Sequence, residues 1–171
     1  MKLVRAPEYL LRSVTPPTSV SVPTSEIMIA GEPTGKIVEG AVLEAALKWR
    51  EYLLLFLTDN IPFEDALSIY LLDANLNIVD SARMYHMYST GTLSDLDLSL
   101  DDTVRFGFFG GITWRLKLLP KKTFALPVIS DPTGVHRSFT FWRMFQIDGR
   151  PMPDTSPAQI NQPSPSTGTE S

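Results

Sequence analysis

Two histidines are the first residues that could do chemistry, His86 in "MYHMY" and His136 in "GVHRSF". An imidazole can hold a metal or act as a general base, but either task needs companions at set spacing. Neither histidine has a His, Asp or Glu beside it at helical or strand spacing, so no metal site is expected. Ser138 lies on the same face as His136 if that segment is a regular strand. No G-x-S-x-G surrounds the pair, and nucleophilic catalysis also needs a third group to orient the base. Among the acids, Glu64 and Asp65 follow Pro62 in "DNIPFEDA", where proline and carboxylates suit the first turn of a short helix. The weak catalytic candidates are therefore His86, His136, Glu64 and Asp65. A small hydrolase or ligand-binding enzyme would need them to converge on one pocket. Asp95 and Asp97 could share a divalent ion, but Arg105 stands ready to neutralise them, and Asp101 and Asp102 read as loop residues. No cofactor is implied.

The cations are a second group of candidates. In "HRSFTFWRMFQI" the residues Arg137, Phe139, Phe141, Arg143 and Phe145 share one face of an extended strand. Arginine interleaved with aromatics fits three situations. It suits a core strand whose arginines reach outward, a protein interface, or rings that stack on bases while guanidinium holds phosphate. Arg105, Arg115 and Lys117 form another basic group. The charge is unevenly spread: residues 1–102 carry 7 Lys and Arg against 15 Asp and Glu, a net −8, and residues 103–150 carry 8 against 2, a net +6. Such a split fits an anion-binding half, or two halves that lie against each other. The whole chain is at −4, which speaks against general nucleic-acid affinity.

The elements that must position these residues read as strands. The chain has 171 residues, 43% of them hydrophobic, with 14 prolines and no cysteine. That is enough for one domain with a real core, and it excludes disulfides and thiolate chemistry. Residues 66–72, "ALSIYLL", and 77–84, "NIVDSARM", flank the turn "DANL". Residues 39–57 are ambiguous. They are rich in helix formers, yet "LEAALKW" alternates and "YLLLFL" suits a strand buried on both sides. Two strands joined near residues 48–51 are favoured over a helix.

Glycines in "VRFGFFGGITWRLKLLP", residues 104–120, raise the question of a phosphate loop. The spacing matches neither G-x-G-x-x-G nor G-x-x-x-x-G-K-[ST], and no helix follows. Register explains them instead. A two-residue turn at Gly110 and Gly111 would set Phe106 against Arg115 and mix both faces. A three-residue loop, Phe109–Gly110–Gly111, pairs Val104 with Leu116, Phe106 with Trp114 and Phe108 with Ile112. Arg105 then meets Arg115, Thr103 meets Lys117, and Gly111 supplies the left-handed position such a loop needs. The same rule applied to "SDLDLSLDDT" predicts a loop at Asp101–Asp102–Thr103, with Leu100 opposite Val104, Leu98 opposite Phe106 and Leu96 opposite Phe108.

The expected fold is all-β, an antiparallel β-sandwich with a β-meander over residues 94–119 and at most one or two short helical segments. Residues 1–26 read as an N-terminal segment and flexible linker, 27–147 as the sandwich domain, and 148–171 as a disordered Pro/Ser/Thr-rich tail. Pro7, Glu8 and Arg12 interrupt any apolar leader core, and the longest apolar run, residues 52–57, is far short of the ~20 that span a bilayer. The expectation is a soluble, cytoplasmic, non-enzymatic binding module that takes a protein partner or self-associates through an edge strand, without nucleic acid or membrane. Its binding candidates are Arg105, Arg115, Lys117, Arg137 and Arg143.

This register is open to test by chemical denaturation. Trp114→Ala should cost about 3–5 kcal/mol as a core truncation, whereas Arg115→Ala, on the wet face, should leave stability nearly unchanged. Equal costs would sink it.

Overall fold

The computed structural model describes residues 4–16, 18, 21–61, 65–86, 91–126, 131–138 and 141–149. Its strands in chain order are β1 (Val4–Arg5), β2 (Tyr9–Thr15), β3 (Thr24–Ile29), β4 (Glu32–Glu39), β5 (Val42–Trp49), β6 (Tyr52–Thr58) and β7 (Leu67–Leu72). They continue with β8 (Ile78–Met84), β9 (Ser94–Asp97), β10 (Thr103–Gly107), β11 (Thr113–Phe124), β12 (Val135–His136) and β13 (Trp142–Asp148). All pairings are antiparallel, and no helix occurs among the described residues. It follows that none is long and apolar enough to cross a membrane.

Three sheets form three layers. The central one has the order β1-β5-β6-β7-β8-β12, and the outer two are β13-β11-β10-β9 and β2-β3-β4. The central sheet is apolar on both sides, which is why "YLLLFL" does not alternate. Leu54, Phe56, Leu67, Ile69 and Leu71 pack with Val104, Phe106, Trp114 and Phe145 of the four-stranded sheet. Leu53, Leu55, Leu57, Tyr70 and Leu72 pack with Ile27 and Val38 of the three-stranded sheet. Residues 39–57 are thus strands, turned between β5 and β6 at Arg50, whose φ of 57° places it in the left-handed region.

The β10–β11 register is the one expected: Thr103↔Lys117, Val104↔Leu116, Arg105↔Arg115, Phe106↔Trp114 and Gly107↔Thr113. Gly110 and Gly111 take φ of 74° and 61° in the loop. The preceding strand departs from expectation. Arg105 pairs with Asp97, and Gly107 with Ser94, across a bulge. The local cause is Asp97, which lies 3.4 Å from Arg105 and accepts the Ser99 amide at 2.8 Å. That second bond ends the strand early, so Leu100 lies in the connection, exposed, instead of facing Val104.

Two further boundaries are corrected. The described strands within residues 1–26 pair with the body: Val4 with Lys48, Arg5 with Leu47, and β2 runs beside β3 from Tyr9↔Ile29 to Thr15↔Thr24. Ser25 and Glu26, polar by composition, are buried because each has a partner. Ser25 donates to the Gly40 carbonyl at 2.7 Å, and Glu26 accepts from Gly35 N–H at 2.7 Å and from Arg12. The "HRSFTFWRMFQI" segment is not one strand. β12 belongs to the central sheet and β13 to the four-stranded sheet, so the chain changes layer between them. The tail from residue 150 onward lies outside the described residues.

A buried polar node fastens β13 to the central sheet. The Asp80 carboxylate on β8 accepts N–H of Met144 at 2.6 Å and of Phe145 at 3.1 Å, as well as Arg137 Nη1 at 2.9 Å. Arg137 also donates to the carbonyls of Ser81 and Phe145 and, through Nε, to Asp131. Asp131 in turn accepts from Arg143 at 3.1 Å. Burial pushes the Asp80 pKa up and that of Arg137 down, and their mutual attraction works against both shifts. Asp80→Ala would leave two buried amides without their acceptor and take one of its two carboxylates from the buried Arg137 guanidinium, and should cost about 3–5 kcal/mol. Urea denaturation beside Asp148→Ala, which breaks only an exposed pair with Arg115, provides the comparison; similar midpoints would refute the node's importance.

Candidate functional site

The three-stranded sheet covers only the hydrophobic part of the central sheet's outer face. Beyond it the register brings polar side chains together, because alternate residues of β7, β8 and β12 point the same way. Ser68 sits opposite Arg83, Tyr70 opposite Ser81, and His136 opposite Arg83 on its other side. The edge of β4 stands over them with Ile37, Val38 and Glu39. The result is a cleft of about 710 Å³, completed by Val22, Ile78, Tyr85 and Ser138.

Arg83 is the centre of its polar floor. It donates to Ser68 Oγ at 2.9 Å, pairs with Asp59, and lies 3.9 Å from the Glu39 carboxylate. Asp59 is 2% exposed and its Oδ1 has no hydrogen-bond partner among the described residues. Burial therefore raises its pKa, and Arg83 pulls it back only in part. Tyr70 ties the wall to the floor, since its hydroxyl accepts N–H of Glu39 and donates to the Glu39 carbonyl, both at 3.2 Å. Burial raises the Tyr70 pKa as well. At the rim, Tyr85 stacks on His136 with centroids 4.1 Å apart and planes 17° from parallel.

The candidates named from sequence are dispersed. His136 lines the cleft, but His86 lies beside Phe109, 6.1 Å between centroids, and does not line it. Asp65 accepts the amides of Asp59 and Asn60 at 2.9 and 3.0 Å, which closes the loop before β7; Glu64 lies outside the described residues. No hydrogen bond joins His136 to Ser138 among the described residues. Arg105, Arg115 and Lys117 do share one exposed face of the four-stranded sheet, with Arg105 paired to Asp97 and Arg115 to Asp148. Arg137 and Arg143 are in the buried node, with side chains 2% and 3% exposed, so the five cations form two separate groups. Among the described residues no group of three or more His, Asp or Glu could hold a metal ion.

Sequence reasoning missed Arg83, Asp59, Tyr70 and Glu39. Tyr70 and Arg83 had a signal in the polar residues at alternate positions of "ALSIYLL" and "NIVDSARM", on the face opposite Ile69 and Ala82; Asp59 and Glu39 lie outside those segments and had none. The groups here suit binding: a ring stack, a guanidinium, hydroxyls and an apolar rim. Comparison with protein-family models, curated proteins and solved structures finds no match for the chain.

The Asp59–Arg83 pair sets a pH dependence. A carboxyl whose folded pKa is raised stabilises the fold only where it is protonated, and that contribution is lost as pH rises through the folded pKa. Arg83→Ala removes the cation and raises the Asp59 pKa further. The variant should therefore lie close to wild type at about pH 4 and fall about 3 kcal/mol below it at about pH 7. Urea midpoints measured across that range would show the gap widening; a constant gap would mean that Asp59 ionisation is not the cause.

Proposed function

We propose that this chain is a non-enzymatic binding module whose cleft receives aromatic and basic side chains of a protein partner. The observation that carries this is the composition of the cleft. Exposed Val22, Ile37, Ile78 and Tyr85 form an apolar rim around one guanidinium that faces two carboxylates, Asp59 and Glu39. When both acids are ionised, one negative charge is left over beside the rim, and Glu39 is its exposed member. Rings gain by leaving water against such a rim, and a nearby ammonium answers the carboxylate. Ser68 supports binding over catalysis, since its hydroxyl accepts from Arg83 and, among the described residues, no His, Asp or Glu hydrogen-bonds to it.

Peptides test this directly. The chain has only two histidines, so the ring NMR signals of His136 are readily assigned with His136→Gln. Lys-Lys-Trp-Phe amide should shift the His136 signals, and Glu-Glu-Trp-Phe amide should do so about tenfold more weakly. Glu39→Lys should remove that preference. If neither peptide moves His136, or if both act alike, the reading fails.

A further inference from the structure

A second surface of the molecule is the complement of the cleft. β10 accompanies β11 only as far as Lys117, and β11 then continues beside β13 alone. Leu118 pairs with Phe145 and Thr123 with Arg143, so Leu119, Pro120, Lys121 and Lys122 bulge out between them. The outcome is a two-stranded ribbon with large apolar side chains at its end. Phe124 is 58% exposed, Trp142 55%, Leu126 51% and Phe141 42%. The rings already form a cluster: Phe124 stacks on Phe141 at 5.9 Å and meets Trp142 edge-on at 6.0 Å. Clustered exposed aromatics mark a docking surface. Lys117, Lys121 and Lys122 are exposed too, and among the described residues none of them has an ion-pair partner.

We infer that the ribbon of one copy docks in the cleft of a second copy. The Phe124 and Trp142 rings lie against Ile37, Ile78 and Tyr85, and the Lys121 and Lys122 ammonium groups approach Glu39. This rests on the protein-binding reading of the cleft and names its occupant. Charge complementarity argues for a second copy. The acidic part of the chain, residues 1–102 at 7 Lys and Arg against 15 Asp and Glu, contributes Glu39, the exposed acid of the cleft, and the basic part, residues 103–150 at 8 against 2, contributes the ribbon as well as the buried Arg137 at the cleft wall. Unlike halves attract between copies. An anionic membrane would also suit exposed Trp and Lys, but the net charge of −4 opposes approach to such a surface. Along the β13 edge the contact is made by side chains, because Asp80 and Arg137 already occupy the amides of Met144 and Phe145 and the Phe145 carbonyl.

Light scattering behind size exclusion, on the full chain, tests the inference. Wild type should exceed the 19.1 kDa monomer mass increasingly with concentration. The ribbon variant Phe124→Ser/Trp142→Ser and the cleft variant Glu39→Lys should each remain monomeric, with thermal unfolding near wild type since all three positions are exposed. Mixed in equal amounts, they should form a mixed dimer, because one intact ribbon meets one intact cleft. A ribbon-to-ribbon contact would not be rescued by mixing, and that result overturns the inference. So does association that survives Glu39→Lys. So does wild type that stays monomeric up to about 1 mM, including the case where it instead binds phosphatidylserine vesicles through Trp142. In that case a His136 shift by Lys-Lys-Trp-Phe would still uphold the cleft as a protein-binding site, so the two readings fail separately.

Discussion

One carboxylate holds the layers in register. Asp80 sits on β8 at a position whose neighbours along the same face are apolar, and it turns one oxygen to the next layer, where it accepts two consecutive amides of β13, while the other accepts the Arg137 guanidinium and the Ser81 amide. Burying an ion pair gains little net stability, but leaving half of one buried is expensive. The node therefore acts chiefly as a constraint. Only one placement of β13 over β8 satisfies Asp80, and only one path for the chain between β12 and β13 brings Arg137 and Arg143 to the same Asp131. The Phe145 ring, 4.3 Å from the Arg137 guanidinium, is fixed by the same arrangement.

The node also explains the unequal legibility of the sequence. The β10–β11 hairpin could be read because its register follows from local facts: alternation of large apolar residues and a glycine where the backbone turns left-handed. The β7–β8 hairpin could be read from the Asp and Asn of its turn, where Asp73 accepts the amides of Asn75 and Asn77. The β9 pairing could not, since the alternation of Leu96, Leu98 and Leu100 suggested one ladder while the bonds Asp97 accepts from Arg105 and the Ser99 amide enforced another. Arg137 and Arg143 are the clearest case. Their spacing on an imagined continuous strand says nothing about Asp80, which lies 57 residues from Arg137 in the chain. The N-terminal strands were hidden by composition, because Ser25 and Glu26 are buried by virtue of partners that only the fold supplies.

The cleft arises from the same economy of layers. A central sheet apolar on both faces needs two covers, and the three-stranded cover spans the leucine-rich strands without reaching across β8 and β12. The uncovered portion had to be polar, and Ser68, Tyr70, Ser81, Arg83 and His136 make it so. Arg83 is thus both structural and available while Asp59 is buried behind it: the pair neutralises itself at depth, and Glu39 remains as the exposed charge. Site and scaffold cannot be separated at Tyr70, whose hydroxyl joins the central sheet to the wall of the cleft.

The doubly covered sheet has a consequence for how the chain reaches its fold. β5, β6, β7 and β8 follow one another and pair in sequence order, so their contacts are local and close early. A meander formed that way has two greasy faces, each of which needs its own cover. One cover comes from the preceding residues and can already be in place when β6 emerges from synthesis. The other depends on β13, the last strand among the described residues, and waits for synthesis to pass Asp148. Until Asp80 finds its two amides, the face of Phe56, Ile69 and Leu71 is open to whatever other apolar surface is nearby, which makes this a chain that benefits from dilution or a chaperone while it folds.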